Sequence, residues 1–169
     1  MAMNLKASQR NATENALLLA LQATLAEGGR LTVEGIAARA GVNKALVYRY
    51  FGGLAGLVRA FAETPEFMPG MAELKALCPP DLAELPARQR FGCCVRGFVL
   101  ALARRPASLQ ILQRLPQLDP EILEAIANGR KQAIEQIRAL FGASGETCGF
   151  DPELAFSLLV SGACLLLGA

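Results

Sequence analysis

The chain has 169 residues, of which 53% are hydrophobic and 19% are charged, and its net charge is +2. This composition is sufficient for the core of one domain or two small ones and excludes a disordered protein, while the absence of histidine excludes Cys-His and Ser-His nucleophiles. Apolar residues recur at helical spacing almost throughout and alternating strand patterns are absent, so the sequence predicts an all-α fold.

The positive charge is concentrated at the start of the chain. Residues 1–60 contain seven Lys/Arg and three Asp/Glu, whereas residues 61–169 contain ten and twelve. A local surplus of cations attracts a polyanion such as nucleic acid, but it is also found on ordinary solvated surfaces. The surplus therefore indicates nucleic-acid binding only in combination with a motif.

The first predicted helix has Ser8 as its N-cap and ends at about Glu27, just before Gly28-Gly29. Its apolar side is predicted from residues at helical spacing. These are Ala12, Ala16, Leu19, Ala20 and Ala23.

Residues 31–51 predict a helix-turn-helix. Thr32 can cap a second helix that ends near Ala40, and Gly41 stands where the backbone must turn and where the crossing helices need a small side chain. Asn43 can cap a third helix running from Lys44 to about Phe51. The predicted inward set is Ile36, Ala37, Gly41, Val42, Val47 and Phe51, and the outward set is Lys44, Ala45, Tyr48 and Arg49.

A fourth helix, from about Leu54 to Glu63, is predicted to link this head to the remainder of the chain. Five prolines interrupt residues 64–86, so we place a domain boundary at about residue 64, giving an N-terminal head (1–63) and a C-terminal domain (64–169). Further helices are predicted near residues 71–77, from Pro86 to residues 104–105, and from Pro106. The sequences Asp119-Pro120-Glu121 and Asp151-Pro152-Glu153 each predict a capped helix start.

The last sixteen residues, 154–169, carry no charge and are too few for a bilayer crossing, which needs about 20 apolar residues. Small residues follow one side of this pattern, so another backbone can approach closely there. Two interpretations stay open, a dimer interface and an ordinary buried helix of one subunit.

The five cysteines form no CxxC pair and leave one unpaired, and no signal peptide precedes them. A reducing cytoplasm is therefore the predicted location, and no metal, cofactor or membrane partner is expected. An enzyme is the weakest hypothesis, with Cys93-Cys94 as its only reactive pair and no base to activate it.

Residues 31–51, with the first helix, resemble the DNA-binding head of the tetracycline-repressor (TetR) family. The segments LTVEGIAARAGV and VYRYF carry the resemblance. It implies an all-α, dimeric, ligand-responsive transcription regulator, expected to be a repressor, that binds a near-palindromic operator on double-stranded DNA and is released by a small apolar effector held in the C-terminal domain.

Matching positions imply which residues contact DNA. Thr32 is expected near the sugar-phosphate chain and Lys44 near phosphate or a base, while the third helix enters the major groove and reads bases through residues 45, 46 and 49. For Tyr50, packing within the head is an equal alternative to a backbone contact. The expected DNA-binding set is Thr32, Asn43, Lys44, Ala45, Leu46, Tyr48, Arg49 and Tyr50.

Two further sets are expected in the C-terminal domain, where a filled core is the alternative to an effector site. The effector-lining set is Phe91, Val95, Phe98, Leu102, Leu109 and Leu112. The dimer set is Ile126, Ile134, Ile137, Phe141, Ser157, Ser161, Cys164 and Gly168.

The sequence departs from the family pattern at two places in the head. A lysine that usually follows the aromatic pair is replaced by Gly52-Gly53-Leu54, and Glu34 is acidic where many members are neutral or read a base. An alternative function follows from these departures, a helical dimer that binds a small apolar molecule and has weak or lost DNA binding.

Overall fold

The computed structural model describes residues 2–114 and 118–141, together with residues 154, 155, 158, 159, 161 and 162. These residues form α-helices and no β-strand, which confirms the all-α prediction. The helices are α1 (Ala2–Ala26), α2 (Val33–Arg39), α3 (Ala45–Phe51), α4 (Leu54–Ala62), α5 (Met71–Leu77), α6 (Ala87–Ala103), α7 (Pro106–Gln113) and α8 (Pro120–Phe141).

Helix α1 differs from its prediction in both its start and its buried face. It begins at Ala2, so Ser8 lies inside the helix, because the preceding residues are mostly good helix formers without a Gly or Pro. Leu17, Leu21 and Leu25 are buried, whereas Leu19 is 65% exposed. The apolar residues of α1 surround much of the helix, so their spacing alone did not identify the buried side.

The end of α1 is held by both its own turn and the C-terminal domain. Gly28 adopts φ +69°, and the Gly29 amide donates to the Thr24 carbonyl at 2.8 Å, which closes the helix in the way predicted for Gly28-Gly29. Arg114, which follows α7, donates from Nη2 to the Gly28 carbonyl at 2.9 Å and from Nη1 to the Gly29 carbonyl at 3.5 Å. The turn that leads into α2 is therefore tied to α7.

One apolar core extends across the predicted boundary near residue 64. Leu17 and Leu21 of α1 share this core with Phe61 of α4 and with Ile111 and Ile126 of the C-terminal helices. Phe61 and Phe67 meet edge to face, with ring centroids 5.6 Å apart. The head and the C-terminal domain are thus packed together, while the division at residue 64 stays a prediction.

The other helix bounds follow the predicted caps closely. Helix α5 occupies the predicted residues, α6 begins directly after Pro86, and α7 begins at Pro106. Asp119 Oδ1 accepts from the Glu121 amide at 3.3 Å at the start of α8. A single 3-10 turn at Leu82–Glu84 was not predicted, and the predicted start at Asp151 lies outside the described residues.

Arg105 fastens the segment between α4 and α5. Its guanidinium donates to the Pro65 carbonyl at 3.1 and 3.2 Å, to the Ala101 carbonyl at 2.8 Å and to Glu73 Oε1 at 3.1 Å. The hydrogen bond from Arg105 lowers the pKa of Glu73 below its usual range. Because both side chains are mostly buried, this ion pair is more consequential than the surface pairs of the chain.

Candidate nucleic-acid interface

The turn between α2 and α3 is built as predicted at its first cap. Thr32 is extended, and its Oγ1 accepts from the Gly35 amide at 3.1 Å. Gly41 adopts φ +67°, which explains the glycine, but a Cβ there would meet open space. The prediction that Gly41 faces inward and needs a small side chain for steric reasons is therefore wrong, since Gly41 is exposed.

Asn43 holds the start of α3, the helix predicted to enter the major groove. Its Oδ1 accepts from the Ala45 amide at 2.8 Å, and its carbonyl accepts from the Leu46 amide at 2.9 Å. Helix α3 starts at Ala45, one residue later than predicted. Asn43 thus provides the predicted capping function.

Helix α3 has one buried side and one exposed side. Val47 is fully buried, against a core that includes Ile36 and Ala37 of α2. Tyr48 is 55% exposed, and the remaining outward residues of the prediction are exposed as well. The structure therefore brings Lys44, Ala45, Tyr48 and Arg49 together on one accessible face, with Leu46 half-buried at its edge.

The first cation of this face has an acidic neighbour. Lys44 Nζ lies 3.0 Å from Glu34 Oε1, and both side chains are more than half exposed. Their hydrogen bond lowers the pKa of Glu34 and raises the pKa of Lys44, so both groups are charged at neutral pH. Glu34, noted in the sequence for its charge alone, thus contacts the lysine expected at phosphate or a base.

Tyr50 has a cationic environment that the sequence did not reveal. The Arg10 guanidinium of α1 lies 5.3 Å from the centre of the Tyr50 ring, and that of Arg49 lies 5.8 Å from it. Tyr50 is half-buried, so it packs within the head and borders the exposed face. Arg10 and Glu14 form an ion pair at 2.7 Å with the spacing i, i+4, which is the one sequence signal that could have placed Arg10 on the surface of α1.

The six expected effector-lining residues come together in one apolar cluster. Phe91, Phe98, Leu102 and Leu109 are buried there, and Val95 and Leu112 pack against them half-buried. Leu74 of α5 belongs to the same cluster, and sequence reasoning missed it because its short helix carries no strong apolar pattern. Whether this cluster binds an effector stays a prediction.

The expected dimer residues are described only in part. Ile126 is fully buried inside the single chain, in the core shared with the head, and so cannot contribute a surface to a partner. Ser161 is helical and exposed. The side chains of Ile134, Ile137 and Phe141, and residues Ser157, Cys164 and Gly168, lie outside the described part of the chain.

Cys94, one residue of the cysteine pair behind the enzyme hypothesis, has the wrong environment for a nucleophile. Burial raises the pKa of the Cys94 thiol to about 12 and raises that of Cys78 as well. A thiol of this kind is protonated at neutral pH and is a poor nucleophile.

No helix among the described residues combines the length and hydropathy required to span a bilayer.

Comparison with known proteins agrees with this geometry. The family model described as "Bacterial regulatory proteins, tetR family" matches residues 24–61, from the end of α1 through α4. No curated protein is similar enough to the chain to count as a match.

Solved structures match over nearly the whole chain. A tetR-family regulatory protein from Rhodococcus RHA1 has 22% identity and a TM-score of 0.62, over 92% of this chain and 83% of its own. NalD, the secondary repressor of the MexAB-OprM multidrug efflux pump in Pseudomonas aeruginosa, has 24% identity and a TM-score of 0.59, over 95% and 84%. AibR, solved with isovaleryl coenzyme A and operator DNA, has 18% identity and a TM-score of 0.60, over 93% and 86%. At these identities the likeness shows a common fold.

Proposed function

Because this chain is a member of the tetR family of bacterial regulatory proteins, we propose that it is a transcription repressor that binds a near-palindromic operator as a dimer and is released by a small apolar effector. The observation that carries the proposal is the exposed face of α3. Its Tyr48 and Arg49 side chains are accessible while Val47 anchors the helix in the core. A helix held in this way fits the major groove, where an arginine can make two hydrogen bonds to guanine.

The proposed contacts divide into two kinds. Thr32, Lys44 and Tyr48 bind the sugar-phosphate backbone and set affinity, whereas Ala45, Leu46 and Arg49 meet base edges and set sequence preference. Asn43 contributes by holding the start of α3. A regulator of this kind acts on DNA in the cytoplasm.

The experiment is a selection of bound duplexes from a random pool, followed by measurement of binding to the selected site. A Lys44/Tyr48/Arg49 triple alanine variant is expected to lose this binding. The matched control is an Arg88/Arg96 double alanine variant, which removes two exposed cations of α6 and preserves the exposed face of α3. Equal binding by the wild type and the triple variant would refute the proposal.

The effector is proposed to bind at the apolar cluster that includes Phe91, Phe98 and Leu102. Support comes from its position, since the cluster lies in the C-terminal domain and Met68 packs against both this cluster and the core shared with the head. A molecule inserted there changes the populations of head arrangements only if it binds one arrangement better than the other. Apolar compounds that raise the melting temperature should release DNA, and Val95→Asp should abolish both effects.

The dimer is proposed to form through the last helices of each chain. Leu154, Leu158 and Leu159 are 60%, 65% and 50% exposed in the single chain. Large apolar side chains exposed at helical spacing are typical of a surface that a partner covers. Sedimentation equilibrium should show a dimer for the wild type and a monomer for Leu158→Asp.

A second candidate function is favoured by the ion pair between Glu34 and Lys44. This pair places a carboxylate beside the exposed face of α3 and neutralises Lys44. In addition, the lysine that usually follows the aromatic pair is replaced by Gly52-Gly53-Leu54. The candidate is a helical dimer that sequesters a small apolar molecule without useful DNA affinity. DNA binding that disappears near physiological salt while ligand binding persists would establish it.

A further inference from the structure

A cleft between α1 and α3 collects two arginine side chains on one side of the head. Its volume is about 810 Å3, and its lining includes Gln9, Arg10 and Thr13 of α1 with Arg49 and Tyr50 of α3. Arg10 lies outside residues 24–61, which match the family model, and outside the DNA-binding set expected from the sequence. The cleft joins the recognition helix to a helix that had no assigned part in binding.

Both guanidinium groups line this cleft and lie near the same aromatic ring, that of Tyr50. Each is within 6 Å of the Tyr50 ring centre, where the negative face of the ring favours a cation. Glu14 neutralises one of the two charges through its contact with Arg10 Nε at 2.7 Å. The cleft therefore keeps a net positive charge.

The donors of both arginines are available. Within the described residues, the Arg10 side chain forms a hydrogen bond only through Nε, so its two terminal amino groups are unused. Among the described residues, the Arg49 side chain donates no hydrogen bond, and Arg49 is exposed. A planar guanidinium fork matches two oxygens of a phosphate group.

We propose that this cleft binds a phosphate of the DNA backbone through Arg10 of α1, with Tyr50 as the residue that positions Arg10 beside the base-reading Arg49 of α3. The inference rests on the proposed DNA-binding function. The occupant is a phosphodiester of the duplex held by α3 rather than a free anion, because the cleft is continuous with the exposed face of that helix. Arg10 then adds affinity that is independent of base sequence.

The test measures binding of the selected duplex by fluorescence anisotropy over a salt series. Each phosphate contact that is lost lowers the slope of log K against log salt by about 0.9. Arg10→Ala is therefore expected to reduce the slope by about 0.9 for each bound protomer and to weaken binding to selected and scrambled duplexes by the same factor. Glu14→Gln, which removes the competing carboxylate, is expected to strengthen binding to both.

Arg88→Ala is the matched control, since it removes an exposed arginine from α6, and it should leave the slope unchanged. If Arg10→Ala behaves like this control on a duplex that the wild type binds, the inference is overturned. A selective loss on the selected duplex would also overturn it, because Arg10 would then read bases. Inorganic phosphate provides the last control. If it displaces the duplex more strongly than another salt of the same ionic strength, and Arg10→Ala removes this difference, the cleft binds a free anion. That result would overturn the choice of a DNA phosphate as its occupant.

Failure of the proposed function gives a different result. If the wild type binds no duplex at low salt, DNA binding itself is refuted, whatever the variants do. Circular dichroism of each variant tests whether it folds, and folding is expected because none of these side chains is buried in the core. The two outcomes are therefore separable in one set of measurements.

Discussion

Ile126 and Leu158 provide a paired test of which apolar residues form the core and which form the dimer interface. Ile126 is fully buried within one chain, in a core with Leu57, Val58 and Phe61 of α4, whereas Leu158 is 65% exposed. The change is Ile126→Ala in one variant and Leu158→Ala in the other. The first should lower the stability of the fold, and the second should weaken association.

The magnitude for Ile126→Ala follows from its burial. Removing three carbon atoms from a site without solvent access costs about 2.4 kcal/mol in transfer free energy, at about 0.8 kcal/mol for each carbon. The cavity left between α4 and α8 adds to this, so we expect a total of about 3–4 kcal/mol, inside the range of about 2–5 kcal/mol for such truncations. The corresponding fall in melting temperature is about 6–16 °C for a chain of this size.

The assay is urea unfolding at several protein concentrations, combined with sedimentation equilibrium. Ile126→Ala should shift the midpoint at every concentration with an unchanged slope. Leu158→Ala should raise the dimer dissociation constant and lower the midpoint only at concentrations at which the wild type is a dimer. A loss below about 0.5 kcal/mol for Ile126→Ala, with weakened association, would refute the placement of Ile126 in the shared core. It would restore the original expectation that this residue faces a partner.

Three further predictions concern the head and the linking segment. Glu34→Gln should free Lys44 and strengthen DNA binding severalfold, measured by anisotropy; unchanged affinity would show that the ion pair does not compete with phosphate. Gly41→Ala should cost about 1–2 kcal/mol in thermal melts because its φ is positive, and Gly41→Asn should cost less; equal stability would contradict the strain. Because Arg105 lowers the pKa of Glu73, that pair stabilises the fold above the ordinary glutamate pKa of 4.5, and the stabilisation is lost as pH falls below it. In a series of melting temperatures measured at falling pH, Glu73→Gln should therefore reduce the loss of stability below pH 4.5. An unchanged loss would show that other carboxylates cause it.

Local signals in the sequence were sufficient for most helix bounds in the head. Thr32, Asn43 and Asp119 each cap a helix through the predicted side chain, because a cap depends only on residues within one turn. The exposed face of α3 was predictable for a similar reason, since the burial of Val47 fixes which neighbours point outward.

Contacts between distant segments could not be predicted in the same way. The buried side of α1 depends on α4 and α7, and the sequence of α1 offers several apolar sides. The approach of Arg10 to Tyr50 joins residues forty positions apart, and the burial of Ile126 depends on α4. Periodicity identifies a helix with an apolar face, but the partner of that face is decided by the tertiary fold.

The core shared by α1, α4, α7 and α8 has a practical consequence for engineering. A head excised at residue 63 would lose the cover that Ala107, Ile111, Ile122 and Ile126 provide for its leucines, and would also lose the Arg114 bonds to the turn after α1. A chimaera that joins this head to the effector-binding domain of another protein must therefore include α7 and the start of α8, or supply surfaces of the same shape.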